Sequence, residues 1–325
     1  MSRSNKLSLS GIIAAGLLLL LSACSPTTNL PGKQVVNPKI EQERFIAADG
    51  AIMPLRSWLP KNGPVKAVIV ALHGFNDYSN FFASPGNYLS RHGIASYAYD
   101  QRGFGAAPLR GLWSGSEAYT NDLTGFTQEI RKHHPGVPLY VLGDSMGGAV
   151  TIVAMTGSKP PNVDGVILVA PAVWGREYMP WYQRLLLAVG AHTVPWMEVT
   201  GKGVHITPSD NVQMLRALGR DPLVIKATRI DALYGLTNLM DAALSQGEKL
   251  QLPTLVQYGK NDQIIPKEPM LRVMGNMPAA TRKAFYEHGY HMLLRDLQGE
   301  KPLADIAAWI ADRNNLLPFG SDNWK

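Results

Sequence analysis

Two periods alternate along most of this chain. Ala67-Val68-Ile69-Val70-Ala71-Leu72 is a continuous apolar run of strand length, the pattern of a strand buried on both faces. Ile94 to Tyr99, Pro138 to Leu142 and Val166 to Val169 repeat it, and Thr254 to Tyr258 and Lys283 to Tyr286 supply two more late in the chain. Between them the period changes. Asn121 to His133 places Leu123, Phe126 and Ile130 on one helical face. Gly147 to Met155 is a helix of small and apolar residues, and Leu303 to Ile310 is a closing amphipathic helix. Asp49-Gly50 between two extendable segments in Glu43 to Pro60 predicts a hairpin. Buried strands alternating with helices predict an α/β domain, a mostly parallel central sheet with helices on both faces.

The alternation stops between about Val173 and Leu250. That stretch has helical periodicity, no convincing strand, and many large apolar residues, among them Trp174, Tyr178, Trp181, Tyr182, Leu185, Leu186, Leu187 and Trp196. It predicts an inserted helical cap. Trp181, Tyr182 and Leu185 to Leu187 are expected either to pack the cap onto the core or to touch an acyl chain.

The first residues follow neither period. Arg3 and Lys6 precede a mostly apolar run, Leu7 to Leu21, that is too short for a comfortable membrane span and fits a secretory leader. It ends in Leu21-Ser22-Ala23-Cys24, and Cys24 is the only cysteine. This resembles the lipobox of bacterial lipoproteins, in which the leader is removed and the cysteine is lipidated. The resemblance implies a lipid-anchored protein of the bacterial envelope. Ser25, where an acidic residue would signal inner-membrane retention, points to the outer membrane facing the periplasm. A single cysteine excludes an internal disulfide, so packing must supply the stability. The expected organisation is a leader over 1–23, a flexible tether over 24–40, core over 41–172, cap over 173–250 and core again over 251–325. The net charge of +6 includes the leader's Arg3 and Lys6, and no basic stripe supports nucleic-acid binding. Oligomeric state is not legible.

Gly143-Asp144-Ser145-Met146-Gly147 fits G-x-S-x-G directly after a buried strand and at the start of a helix. There the serine sits on a sharp turn at a helix N-terminus, and the Met146 N–H can face a developing oxyanion. Asp144 reads as a solvated acid favoured by the helix dipole. A serine hydroxyl needs a base, and the base needs an orienting carboxylate. Asp262 follows the strand ending at Tyr258, and His291 follows the strand ending at Tyr286, so both fall at carboxyl ends of strands. His288 and Asp296 are the alternates. The loop His73-Gly74-Phe75-Asn76-Asp77 is placed to offer the Phe75 N–H as a second oxyanion donor. Asp100-Gln101-Arg102-Gly103-Phe104-Gly105 reads as a structural turn. Neither metal-ligand spacing nor a dinucleotide fingerprint is present, so no cofactor is expected.

Together, His73-Gly74, Asp100 to Gly105, Gly143 to Gly148, Asp221-Pro222-Leu223-Val224, Asp262 and Gly289-Tyr290-His291-Met292-Leu293 resemble the monoacylglycerol lipase and lysophospholipase group of α/β hydrolases. The resemblance covers about Phe45 to Arg313. It implies the α/β-hydrolase fold and an ester hydrolase for single-chain acyl lipids, with Ser145 as nucleophile, His291 as base and Asp262 as its orienter. Two departures stand out. Asp144 replaces the group's usual His, and Phe75-Asn76-Asp77-Tyr78-Ser79 lacks its Glu-His pair, so the glycerol preference does not transfer. An acyltransferase or aminopeptidase would use the same triad, and a non-catalytic envelope lipoprotein is the remaining alternative.

Overall fold

A computed structural model describes residues 26–201, 203 and 205–320; the leader and Cys24 lie outside the described residues. The chain opens with strands β1 (Lys39–Glu41), β2 (Arg44–Ile46) and β3 (Ile52–Trp58), joined antiparallel, with Asp49-Gly50 turning β2 into β3. The parallel part follows: β4 (Ala67–Leu72), α1 (Ala83–Arg91), β5 (Ile94–Tyr99), α2 (Ser116–His133), β6 (Leu139–Asp144), α3 (Met146–Thr156) and β7 (Gly165–Val169). After the cap come β10 (Thr254–Gly259), α7 (Lys267–Asn276), β11 (Arg282–Tyr286) and α8 (Glu300–Ala311). The sheet order is β1-β2-β3-β5-β4-β6-β7-β10-β11, parallel from β5 to β11.

The strand period of two explains the layering. Val68, Val70 and Leu72 of β4 pack in one apolar cluster with α2, α3 and α7, while Ala67, Ile69 and Ala71 pack in a second with α1 and α8. A strand covered on both faces must be apolar throughout, which is why β4 reads as an unbroken run. The chain runs from β4 outward to β5, then returns past β4 to β6. This reversal opens a crevice at the carboxyl ends of β4 and β6, where open α/β sheets bind ligands.

The cap holds α4 (Trp181–Thr193), β8 (Glu198–Thr200), α5 (Val212–Arg220), β9 (Ala227–Arg229) and α6 (Ile230–Gln246). It corrects the all-helical expectation, because β8 and β9 pair antiparallel as a small ribbon. Three-residue strands carry too few positions for a period of two to register. Helices α1 and α7 also lack a clear helical signature, since Pro85-Gly86 and Pro269 interrupt them near their starts, where proline is tolerated. The stretch expected as a flexible tether is laid along the domain. The Asn29 N–H bonds the Trp113 carbonyl (2.8 Å), the Val35 and Val36 N–H groups bond the Ala48 carbonyl, and β1 begins at Lys39. Its prolines and polar residues hide these backbone contacts from a composition-based reading. No helix among the described residues is long and apolar enough to cross a membrane.

Candidate active site

The strand β6 delivers Ser145 to the crevice through a turn of high curvature. A Cβ on Gly143 would lie 2.4 Å from the Gly147 carbonyl oxygen, and one on Gly147 would lie 2.3 Å from that of Leu72, so only glycine fits either side of the serine. Ser145 itself has φ +51° and ψ −113°, a strained conformation for a residue with a side chain. The turn is held by the Ser145 N–H to the Val169 carbonyl and the Ala172 N–H to the Ser145 carbonyl, both 2.9 Å.

Two loops from the far end of the sheet meet this serine. The Ser145 Oγ and His291 Nε2 are 3.0 Å apart, and His291 Nδ1 is 2.8 Å from an Asp262 Oδ. An ionised carboxylate only accepts, so Nδ1 carries the proton and Nε2 accepts from the serine hydroxyl. The other Asp262 oxygen accepts from the N–H groups of Ile264 (2.8 Å) and Ile265 (2.9 Å), which fixes the carboxylate in rotation. Burial of the imidazole disfavours its charge. The charge and hydrogen bond of Asp262, joined by Asp144, outweigh that burial and hold the His291 pKa above its ordinary value, with Arg295 opposing them.

Both alternates fall elsewhere. His288 is exposed. Asp296 accepts from the Ser209 hydroxyl (2.6 Å) and the Tyr290 N–H (2.7 Å), so it braces the histidine loop from behind.

The loop after β4 faces the serine closely, since a Cβ on Gly74 would be 3.3 Å from that of Ser145. The His73 ring is fully buried and fixes this loop. Its Nε2 accepts from the Gln101 N–H (2.9 Å), so its Nδ1–H donates to the Gly74 carbonyl (2.8 Å). Burial lowers the pKa of His73, consistent with that neutral tautomer. In a trans peptide the N–H points opposite the carbonyl. Holding the Gly74 carbonyl on His73 therefore turns the Phe75 N–H the other way. Among the described residues no protein acceptor takes the N–H of Phe75 or of Met146, the first residue of α3.

The segment Asp100 to Gly105 is structural, as its glycines suggest. Asp100 accepts from the N–H groups of Ser79 (3.0 Å) and Ala106 (2.9 Å). The Arg102 guanidinium forks between Asp49 (2.7 and 2.8 Å) and Asp122 (2.6 and 2.8 Å).

A cavity of about 390 Å³ opens at Ser145. Its walls are mostly apolar: Met146, Trp174, Met179, Leu187 and Ile265 line it, and α6 adds Leu233, Leu236, Thr237 and Met240 at helical spacing. One part is polar. Asp77 pairs with Arg295 (2.7 Å), and Asp144 lines the same space. Asp144 is 6% exposed, which corrects the reading of it as a solvated acid. Burial pushes its pKa up to about 6, against the pull of Arg295 and His291. The turn that aims Ser145 also sets its neighbour's side chain inward. A helix-start acid gives no sign of that in one dimension, and nothing in the sequence pairs Asp77 with Arg295. The cap residues divide in a way not anticipated. Leu187 reaches the cavity, while Trp181, Tyr182, Leu185 and Leu186 neither pack on the core nor line the cavity and are exposed. Among the described residues no group of three or more His, Cys, Asp or Glu side chains is placed to hold a metal ion.

A serine carried on a strained strand-to-helix turn, reached by a carboxylate-backed histidine at the carboxyl ends of a parallel sheet, defines a serine hydrolase of the α/β-hydrolase class. The chain belongs to the Hydrolase_4 family (serine aminopeptidase, S33), which it matches over residues 63–298. It is similar to the monoglyceride lipase of Rattus norvegicus, 25% identical over 295 residues, spanning 89% of this chain and 96% of that protein. It is also similar to the monoacylglycerol lipase of Mycolicibacterium smegmatis, 25% identical over 301 residues, spanning 85% and 99%. Among solved structures, a soluble variant of the Saccharomyces cerevisiae monoglyceride lipase in complex with a substrate analogue superposes with a TM-score of 0.70 at 18% identity, covering 90% of this chain and 99% of that one. The Paleococcus ferrophilus monoacylglycerol lipase superposes with a TM-score of 0.66 at 20% identity, covering 81% and 99%.

Proposed function

We propose that this protein hydrolyses carboxylic esters of single-chain acyl lipids, of the monoacylglycerol or lysophospholipid type, through an acyl-enzyme. The observation that carries the reading is the line Ser145–His291–Asp262, at 3.0 and 2.8 Å, opening directly into an apolar cavity. The monoglyceride lipases among its relatives support it.

Ser145 Oγ attacks the ester carbonyl carbon while its proton passes to His291 Nε2. The resulting oxyanion takes the N–H groups of Phe75 and Met146, a pair whose members each contribute about 3 kcal/mol at such sites. The carbonyl re-forms, the C–O bond to the alcohol breaks, and His291 gives its proton to the leaving oxygen. Water then attacks the acyl-enzyme with His291 again as base, and Ser145 leaves with the proton. The acyl chain lies among Leu233, Leu236 and Met240, and the alcohol faces Asp77, Asp144 and Arg295.

The test is hydrolysis across esters of short to long acyl chains, including monoacylglycerols and lysophospholipids. Ser145→Ala is expected to lower kcat by about 10⁴-fold or more and to abolish fluorophosphonate labelling. Equal labelling of that variant would end the proposal. Adding alcohol or amine acceptors separates hydrolysis from acyl transfer, and peptide amides test the chemistry in the family's description.

The proposal places the enzyme on the bacterial outer membrane facing the periplasm, held by lipid on Cys24. Leu21-Ser22-Ala23-Cys24 and the absence of another cysteine support this placement. Cys24→Ser is expected to lose metabolic palmitate labelling and to move from the membrane to the soluble fraction.

A further inference from the structure

Asp144 stands next to the nucleophile with nothing to bond. It is 6% exposed and lines the cavity at Ser145. Among the described residues no hydrogen-bond donor or ion-pair partner reaches its carboxylate. The other buried acids of this region are all engaged. Asp77 pairs with Arg295 (2.7 Å) and accepts from the Tyr78 N–H (2.9 Å), Asp262 holds His291 and two backbone N–H groups, and Asp296 holds Ser209 and Tyr290. A buried carboxylate without a partner weakens the fold, so its place is accounted for by a group that comes to it from the cavity.

The charges around Asp144 leave its own uncancelled. Arg295, the one permanent cation lining the cavity among the described residues, is taken by Asp77. Asp262 adds a second negative charge behind His291. The polar end of the cavity is therefore negative in sum. It is also the end that meets the alcohol half of an ester. A Cβ on Gly74 would lie 3.3 Å from the Ser145 Cβ and 3.6 Å from the Asp144 Oδ2, so nucleophile and carboxylate flank one point. The apolar wall of Leu233, Leu236 and Met240 takes the acyl chain, which leaves the alcohol to face Asp144. In a cavity of low dielectric a lone charge discriminates by sign. The histidine usual at this position in the monoacylglycerol lipase group supplies no negative charge, so the sign belongs to the aspartate of this chain.

We propose that Asp144 selects the alcohol half of the substrate by charge, favouring esters of cationic alcohols such as amino alcohols and rejecting alcohols that carry a phosphate. The inference rests on the reading of the protein as an acyl-ester hydrolase and narrows its substrate class. Neutral glycerol esters stand between the two extremes, ahead of the phosphate-bearing lysophospholipids. The chemistry is unchanged. The bond between the acyl carbon and the alcohol oxygen breaks, the alcohol leaves with the proton from His291 and keeps its ammonium, and water completes the acid. The ammonium supplies the counter-charge that Asp144 lacks in the free protein and carries it away with the leaving alcohol.

The experiment measures kcat/KM at pH 8, above the Asp144 pKa of about 6, on water-soluble octanoyl esters. Their alcohols are choline, the uncharged alcohol in which carbon replaces its nitrogen, glycerol, and glycerol phosphate. Ratios are taken within the wild type and within Asp144→Asn, because a ratio cancels any change in His291 that all the esters share. The ratio of choline ester to its uncharged isostere is expected to be about tenfold or more greater in the wild type than in the variant. The ratio of glycerol phosphate ester to glycerol ester is expected to be about tenfold or more smaller. A second measurement needs no variant: octyltrimethylammonium should inhibit the wild type at about tenfold lower concentration than octyl sulfate. Ratios that stay the same in Asp144→Asn overturn the proposal and leave ester hydrolysis standing. Preference of the wild type for the phosphate ester overturns it too, and assigns the polar end to Arg295. A wild type that cleaves none of these esters overturns the ester reading and this proposal together.

Discussion

Ser145 carries backbone strain and Asp144 carries desolvation, and the two residues are adjacent. The position of Asp144 beside His291, the proposed base, has two measurable consequences. A negative charge there favours protonated His291, whereas the proposed mechanism requires the neutral imidazole as base. Activity should therefore rise with pH through a histidine pKa above the ordinary value. In Asp144→Asn the acid limb of the kcat/KM profile should move to lower pH. Stability should change in the opposite sense to the usual loss on mutation. The Asp144 pKa is raised to about 6 in the fold, against about 3.9 in an unfolded chain. The native state thus binds the proton more readily, and stability falls as pH rises from about 4 to about 6. Asparagine lacks that cost. Asp144→Asn should be more stable at pH 7.5 by on the order of 1–3 kcal/mol, and thermal melts should show the gain disappear below about pH 4.

At the scale of elements, two joints hold the site. The first is the meeting of β4, β6 and α3 around Gly147. Alanine there would bring a methyl to 2.3 Å from the Leu72 carbonyl oxygen. The strand and helix would have to part, and Gly147→Ala should cost more than about 3 kcal/mol, read by urea unfolding. The second is the Arg102 fork, which ties the β2–β3 turn and α2 to the loop after β5. Its two carboxylates are almost as buried as the guanidinium, and burial pushes Asp122 up to about 6 despite the arginine. Arg102→Ala would strand Asp49 and Asp122 together. The expected loss is about 3–5 kcal/mol, and it should shrink in acid as those carboxyls protonate.

The whole molecule is a sheet-based core with a cap packed on it, Leu239 and Ala243 of α6 joining the core cluster that α3 also enters. Trp113 of the core meets Gly235 of α6, where a Cβ would lie 2.4 Å from the indole. Tyr78 donates to Asp221 (2.7 Å), and the Asn76 amide donates to Thr228 (2.7 Å), joining the loop after β4 to the cap. Gly235→Ala should lift α6 away from the cavity that it lines. Long-chain esters, which need that wall, should lose kcat/KM by about tenfold, and short esters should lose much less; a paired kinetic comparison reads the difference.

Much of this was legible along the chain. β4 to β7 and β10 are apolar runs because both faces of the sheet are covered. Ser145, Asp262 and His291 follow strand ends in the chain order that the elbow motif predicts, and the fold brings their side chains together. Such features depend on local spacing and on chain order, which one dimension preserves. Other features came only with the third dimension. β8 and β9 are too short to carry a period. The segment before β1 looks free, yet it is bound through backbone groups that composition does not reveal. Asp77 and Arg295 are more than two hundred positions apart and meet only because the loops after β4 and β11 open at one end of the sheet. The apolar residues of α4 could be recognised from the sequence, but which of them face the cavity and which face outward was decided by how the cap sits on the core. Burial and pairing between distant segments are properties of the assembled packing, and local sequence leaves them open.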